Sequence, residues 1–177
     1  MHVYRLEPAR LADAVRLAAM SREWVETGLT PTWGAARIGR HVRHPDSVVL
    51  TARTALELAG FAIMRYGDDA AHLNLLAVAP AHRRRGIARR LVQWLEETAL
   101  TAGTFVVELE LRAGNEAACA FYRTLGYREL GRIEGYYQGV ESALRMARDL
   151  RPCSPATPSG GAASAAARPA VPGQPAG

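Results

Sequence analysis

Residues 72–95 read His72-Leu-Asn-Leu-Leu-Ala-Val-Ala-Pro-Ala-His-Arg83-Arg-Arg-Gly86-Ile-Ala88-Arg-Arg-Leu-Val-Gln-Trp94-Leu95. Leu73, Leu75, Leu76, Ala77 and Val78 form a mostly apolar run that stops at Pro80, the pattern of a strand covered on both faces. Beyond it, Ile87, Leu91, Trp94, Leu95 and Ala99 recur at the spacing of one helix face. The period changes between Pro80 and Ile87. In that gap Gly86 lets backbone approach a ligand, and the first turn of a helix leaves amide N–H groups without internal acceptors. Such a helix start attracts anions, and Arg83, Arg84 and Arg85 add charge there. A solvated basic helix start is the competing reading. The stretch lacks the Gly-Lys-Ser/Thr of a Walker loop and the Gly-x-Gly-x-x-Gly of dinucleotide folds.

Working outward, Ser47–Ala52 and Leu58–Met64 are β-prone segments joined by a turn at residues 53–57. A further turn at Gly67-Asp68-Asp69 leads into the quoted strand, so the three form an antiparallel meander. Upstream, His2–Leu6 reads as a strand. From Pro8 a helix follows, with Leu11, Ala14, Val15 and Ala18 on its apolar face, widened by Leu17 and Trp24, ending near Gly28. A second helix opens at Thr30-Pro31, capped by Thr30, and carries Trp33, Ile38 and Val42. Downstream, Thr104–Leu111 alternates as a strand, and the intervening helix implies a parallel crossover. Asn115 caps a helix with Ala118, Phe121, Tyr122 and Leu125 inward and Gly126 as its stop. Extended chain runs from Tyr127 through Tyr136-Tyr137, and Ser142–Ala147 makes a final strand.

The chain has 177 residues, 22 basic against 17 acidic, and every basic residue is arginine. That length suits one domain, at residues 1–150. Two arginines fall after residue 150, which leaves 20 − 17 = +3 there. The excess suits an anionic small-molecule cofactor and is too small to call for nucleic acid. Residues 151–177 contain six prolines, four glycines and eight alanines, with Val171 the sole large aliphatic, a composition that reads as a disordered tail. Cys119 and Cys153 have neither metal-ligand spacing nor a disulfide framework, so no metal is expected and the setting reads as cytoplasmic. No apolar run approaches the roughly 20 residues that span a bilayer, so no membrane partner is expected.

Arg83-x-x-Gly86-x-Ala88, after a strand ending Leu76-Ala77-Val78, resembles the acetyl-CoA signature of the GNAT acyltransferases over most of residues 1–150. The resemblance implies an α/β fold: a mixed, splayed, largely antiparallel sheet of about seven strands with helices on both faces. It implies acetyl-CoA as cosubstrate, with Arg83, Arg84, Arg85, Gly86, Ile87, Ala88 and Arg89 around its pyrophosphate and Leu76, Ala77 and Val78 along its pantetheine arm. Ala88 stands where the family often has glycine. The segments Leu109-Glu110-Leu111-Arg112-x-x-Asn115 and Ala120-Phe121-Tyr122-x-x-Leu125-Gly126-Tyr127 are similar to the ribosomal-protein-alanine and other N-terminal amine acetyltransferases.

That likeness implies Glu110 as general base, Tyr122 as proton donor to the CoA sulfur, and Asn115 as a CoA contact. It also implies an oxyanion site near the Val78 N–H. By local pattern alone Glu110 is indistinguishable from Glu108, which shares its strand face, and burial is expected to raise the pKa of the catalytic carboxyl. His72, at a strand position where other N-terminal acetyltransferases place a catalytic group, is the second base candidate with an intrinsic pKa near 6.5, and a structural histidine at a strand start is the competing reading. Tyr122 otherwise reads as a core ring with its hydroxyl at the rim. Tyr136 and Tyr137 resemble the paired tyrosines that close over a peptide in the last hairpin of these enzymes, although Ser142 stands where the family often has aspartate. Both also suit an exposed strand. Trp33 is a candidate acceptor wall, or core.

The expected function is direct acetyl transfer from acetyl-CoA to a primary amine, a protein or peptide N-terminus, by a monomer or homodimer. A small amine such as an amino acid, polyamine or antibiotic is the rival acceptor. A catalytically silent acyl-CoA-binding or nucleic-acid-binding module is the rival of another class.

Overall fold

Tight turns set the order of the first strands. The computed structural model describes residues 3–151. Among them β1 (Arg5–Pro8), β2 (Ser47–Arg53), β3 (Leu58–Tyr66) and β4 (Ala71–Val78) pair antiparallel, each with the next. The Thr54 N–H donates to Glu57 O at 2.9 Å in one turn, and the Gly67 N–H to Ala70 O at 3.1 Å in the next. α1 (Ala14–Trp24) and α2 (Ala35–Arg43) lie between β1 and β2, and α3 (Ile87–Thr101) crosses over to β5 (Val106–Arg112). After α4 (Glu116–Thr124) come β6 (Arg128–Tyr137) and β7 (Glu141–Asp149). The last strand inserts beside β5, giving the order β1-β2-β3-β4-β5-β7-β6. This is the expected mixed sheet of seven strands.

Two hydrophobic clusters cover the two faces. On one, Leu91 and Leu95 of α3 and Tyr122 of α4 pack with Leu50, Met64, Leu73 and Leu109. On the other, Leu17 and Met20 of α1 and Ile38 of α2 pack with Val49, Phe61, Ile63, Leu75 and Ala77. Each large aliphatic side chain removed from water here contributes about 1.5–3 kcal/mol before entropy is charged against it.

The α1 face differs from the expected one. Leu11 and Val15 are exposed, and the buried stripe is Ala14, Leu17, Ala18, Met20 and Ser21, because the helix proper begins only after a 3-10 turn at Leu11–Asp13. α2 starts at Ala35 with Gly34 as its N-cap. Thr30 is not its cap and Trp33 precedes the helix, the Thr32 and Trp33 amides being held by Glu26 and the Thr30 backbone by Gln138. Asn115 does cap α4, its Oδ1 accepting from the Ala118 N–H at 3.0 Å. His2, Cys153 and residues 152–177 of the expected tail lie outside the described residues. Among the described residues no helix is long and apolar enough to cross a membrane.

β4 holds the feature that places the site. Ile63 pairs with Leu75 but Met64 pairs with Leu73, so Asn74 is an extra residue, a β-bulge. The bulge reverses which side chains face which side. Ala71 and Leu73 join the α3/α4 cluster, whereas Leu75 and Ala77 join the α1/α2 cluster. His72 therefore points to the α1/α2 side, where alternation along β5 also places Glu108 and Glu110 opposite buried Val107, Leu109 and Leu111. β4 and β5 pair only at Ala71↔Val107 and His72↔Glu108, then part.

Candidate active site

The parting of β4 from β5 leaves backbone groups without a strand partner. Ala79 N–H donates to Ala59 O at 2.8 Å, which fixes the hydrogen-bonding phase of the antiparallel β3–β4 ladder. Two residues back, Ala77 opposite Phe61 is in the same phase, so Leu76 and Val78 turn their N–H and C=O groups to the other edge, into the cleft. Of the three residues expected along an extended arm, Leu76 and Val78 present free-edge backbone, while Ala77 is committed to β3. The Val78 carbonyl accepts from Arg83 Nε at 3.1 Å. β3 lies close beneath: a Cβ on Gly60 would stand 2.8 Å from Ala77 O and 3.2 Å from Val78 Cγ2.

At the far end of β4 the basic turn leads into α3. Gly86 is the N-cap with φ +76°, and no atom lies within 4 Å of where its Cβ would be. Arg84 is also left-handed, φ +60°. The amides of Ile87, Ala88 and Arg89 belong to the first helical turn and have no intrahelical acceptor. The arginines around the turn divide. Arg83 folds back on Val78, Arg85 Nη1 donates to Tyr4 Oη at 3.2 Å, and Arg89 Nη2 donates to Thr124 Oγ1 at 3.3 Å. Open space at Gly86, an uncapped helix start and an unpaired strand edge fit a ligand with an extended arm and a phosphate-bearing end.

Where the strands part, His72 Nε2 lies 2.6 Å from Glu110 Oε2. Asn74, the bulge residue, donates from Nδ2 to the His72 carbonyl at 3.3 Å, which turns its Oδ1 toward His72 Nδ1 at 3.1 Å. Both ring nitrogens thus face acceptors, an arrangement that favours the charged imidazolium. Burial opposes that charge, but the Glu110 carboxylate outweighs it and holds the His72 pKa above its ordinary 6.5. For Glu110, burial acts upward as expected, yet the hydrogen bond and charge of His72, with Arg145, carry its pKa below the usual range. The expectation of a raised carboxyl is therefore reversed by the histidine partner.

Glu108 is distinguished by its own cation, Arg145 Nη2 at 2.5 Å, and Arg145 Nε stands 3.7 Å from Glu110 Oε1. The rings of Tyr136 and Tyr137 meet edge to face with centroids 5.0 Å apart. Burial and the nearby Glu110 charge push both phenols up. Tyr122 is buried against Phe121 and Tyr127, with ring centroids at 5.1 and 5.4 Å, and burial raises its pKa too. Trp33 is a wall of the α1/α2 cluster, with the Arg37 guanidinium 3.9 Å from its ring centroid and His41 on it at 5.2 Å.

Three residues outside the expected set shape this end. Buried Glu26 accepts from Ser21 Oγ at 3.0 Å, Thr32 N–H at 2.5 Å, Thr32 Oγ1 at 2.9 Å and Trp33 N–H at 3.2 Å, and so folds the α1–α2 segment. Gln138, at φ +57° in the β6–β7 turn, accepts from the Thr30 N–H at 3.0 Å and donates to Thr30 O at 2.7 Å. Arg112, two residues past Glu110, donates to Thr27 O at 2.7 Å. The Gln138 and Arg112 bonds clasp the α1–α2 segment to the last hairpin and to the end of β5. Glu26 was detectable only as an acid four residues before Thr30-Pro31; Gln138 gave no local signal.

An open mixed sheet is thus parted at one strand pair, with an anion-ready helix start at one end and a histidine–carboxylate pair at the other. The chain belongs to the Acetyltransferase (GNAT) family, whose family model matches residues 16–127. It is similar to the N-alpha-acetyltransferase RimI of Mycobacterium tuberculosis, 34% identical over 143 residues, covering 78% of this chain and 87% of that protein. It is 41% identical over 93 residues to the ribosomal protein bS18-alanine N-acetyltransferase of Salmonella typhimurium, covering 51% of this chain and 63% of that protein. It also spans 39% of the length of an uncharacterized protein of Mycobacterium leprae, at 36% identity. The fold matches that of the ribosomal-protein-S18-alanine N-acetyltransferase from Escherichia coli, with TM-score 0.73 over 86% of this chain and 97% of that one at 24% identity.

Proposed function

We propose that a unit comprising residues 1–150 transfers the acetyl group of acetyl-CoA directly to a primary amine at a protein or peptide N-terminus. The observation that carries the reading is the His72–Glu110 contact at the point where β4 and β5 part. The named activities of the similar RimI and bS18-alanine acetyltransferases support the acceptor class.

In this reading the amides from Arg84 to Arg89, with the Arg83 and Arg85 side chains, hold the phosphates, and the free edge at Leu76 and Val78 pairs with the arm. Asn115 contributes through its amide nitrogen, its oxygen being engaged in the α4 cap. Bound acetyl-CoA supplies an activated acyl group as a thioester. The incoming ammonium must lose a proton, because an N-terminal amine has a pKa near 8. Glu110 takes that proton and shares it with His72 Nε2. A carboxylate of lowered pKa is too weak a base by itself, whereas the imidazole behind it has its pKa raised and can keep the proton. The Val78 N–H, aimed into the cleft, supports developing negative charge on the acyl oxygen. Tyr122, kept protonated by burial, is the donor to the departing sulfur. Tyr136 and Tyr137 line the acceptor side, with Trp33 behind them.

The test is acetyl-CoA consumption against peptides with varied N-termini, the matching amino-acid amides, and polyamines. Peptide turnover with kcat/KM well above that of the small amines is expected. Turnover confined to small amines, or none, would overturn the reading.

A further inference from the structure

The basic turn is wired to the opposite edge of the fold through a chain of hydrogen bonds that the proposed chemistry leaves unused. His82 is 5% exposed, just before the arginine triplet. Its Nε2 lies 2.8 Å from Glu57 Oε1 in the β2–β3 turn, and its Nδ1 lies 3.1 Å from Tyr4 Oη. Tyr4, 8% exposed and just before β1, meets the His82 ring edge to face at 5.7 Å. The same Tyr4 hydroxyl accepts from Arg85 Nη1 at 3.2 Å, and the Tyr4 carbonyl accepts from Arg90 Nη2 at 3.2 Å.

The directions of these bonds follow from the groups. An ionised carboxylate only accepts, so His82 Nε2 carries the hydrogen and donates to Glu57. The Tyr4 hydroxyl is shared between His82 Nδ1 and Arg85 Nη1, so the phenol oxygen links the ring to the guanidinium. The result is one unbroken sequence, Arg85 to Tyr4 to His82 to Glu57, in which each bond polarises the next. Arg85 and Arg90 flank Gly86, the N-cap of α3. A single tyrosine thus fixes one arginine on each side of the helix start.

We infer that Tyr4 and His82 are positioning residues for the phosphate-bearing end of the donor, acting through Arg85. The inference rests on the proposed use of this turn for acetyl-CoA. A long arginine side chain otherwise loses rotamer freedom when it engages a phosphate, and the buried chain has already restricted it. Tyr4→Phe removes the hydroxyl and keeps the ring, so packing is retained while Arg85 is released.

The experiment measures the affinity of the full chain for CoA and for pantetheine, which lacks every phosphate. Wild type should bind CoA far more tightly. Tyr4→Phe should weaken CoA by about three- to tenfold, the scale of one charge-assisted hydrogen bond lost, and leave pantetheine unchanged. His82→Leu should do the same. His82→Gln, which can still donate to Glu57 and accept from Tyr4, should restore most of the loss. If Tyr4→Phe weakens both ligands equally, Tyr4 serves the fold and not the phosphates, and the inference is overturned; an unchanged CoA affinity overturns it too. If wild type binds CoA no better than pantetheine, the acetyl-CoA reading of the turn fails as well. Since affinity needs no acceptor, a wrong acceptor assignment leaves the experiment readable.

Discussion

His72 Nε2 and Glu110 Oε2, 38 residues apart in sequence, stand 2.6 Å from each other at the point where β4 and β5 separate. A proton taken up there belongs to the pair. Since Glu110 holds the His72 pKa above 6.5, activity should rise with pH through an apparent pKa higher than that of a free imidazole. His72→Ala should abolish that limb, lower the rate by about 10²-fold, and leave only the ionisation of the amine itself, near pH 8 for an N-terminus. Glu110→Gln should lower the rate by at least as much. Rate profiles from pH 5.5 to 9.5 decide it, and an unchanged profile in His72→Ala would remove the histidine from the mechanism.

The same pair makes stability depend on pH in a defined window. His72 has a folded pKa above its ordinary 6.5, so its contribution is complete below 6.5 and is lost as pH rises through the folded value. Glu110 has a folded pKa below its ordinary 4.5, so its contribution is present above 4.5 and is lost as pH falls through the folded value. The pair therefore stabilises most between 4.5 and 6.5. The difference in Tm between wild type and His72→Ala should be largest near the middle of that window and shrink toward alkaline pH. A gap that grows with pH would contradict the assigned ion pair.

Gly60 is where β3 carries the floor of the cleft. Its added Cβ would meet the Ala77 carbonyl oxygen at 2.8 Å, and backbone cannot swing aside as a side chain can. Gly60→Ala should cost about 1–3 kcal/mol in denaturant unfolding, the usual range for overpacking, and raise KM for acetyl-CoA by displacing Leu76 and Val78. Gly86→Ala is the contrast. Its Cβ meets nothing within 4 Å, so its cost comes from φ +76° alone, about 1–2 kcal/mol.

Glu26 organises the α1–α2 segment through its carboxylate. Glu26→Ala would leave the Thr32 and Trp33 amides without their acceptor, at a cost of about 1–3 kcal/mol by thermal or chemical unfolding. Because Thr30 is also tied to Gln138, the loosened segment should raise the acceptor KM and spare the KM for acetyl-CoA. Equal increases for both substrates would show that Glu26 serves the whole fold.

What the chain determines by itself is local. The switch from the apolar run 73–78 to the helical spacing 87–99 marks the strand, the anion-ready turn and α3, because each depends on neighbours a few residues apart. The meander turns and the Asn115 cap follow from the same kind of signal, whereas the seven-stranded mixed sheet is implied by the family resemblance. Tertiary structure decided the rest. The bulge at Asn74 is a fact of pairing with β3, and it alone turns His72 onto the face of Glu110. Glu108 and Glu110 are equivalent in their strand pattern and both lie near Arg145, and the His72 contact is what distinguishes Glu110. The direction of the Glu110 pKa does not follow from burial for the same reason: desolvation is legible from an apolar neighbourhood, whereas the charge that outweighs it arrives from another strand.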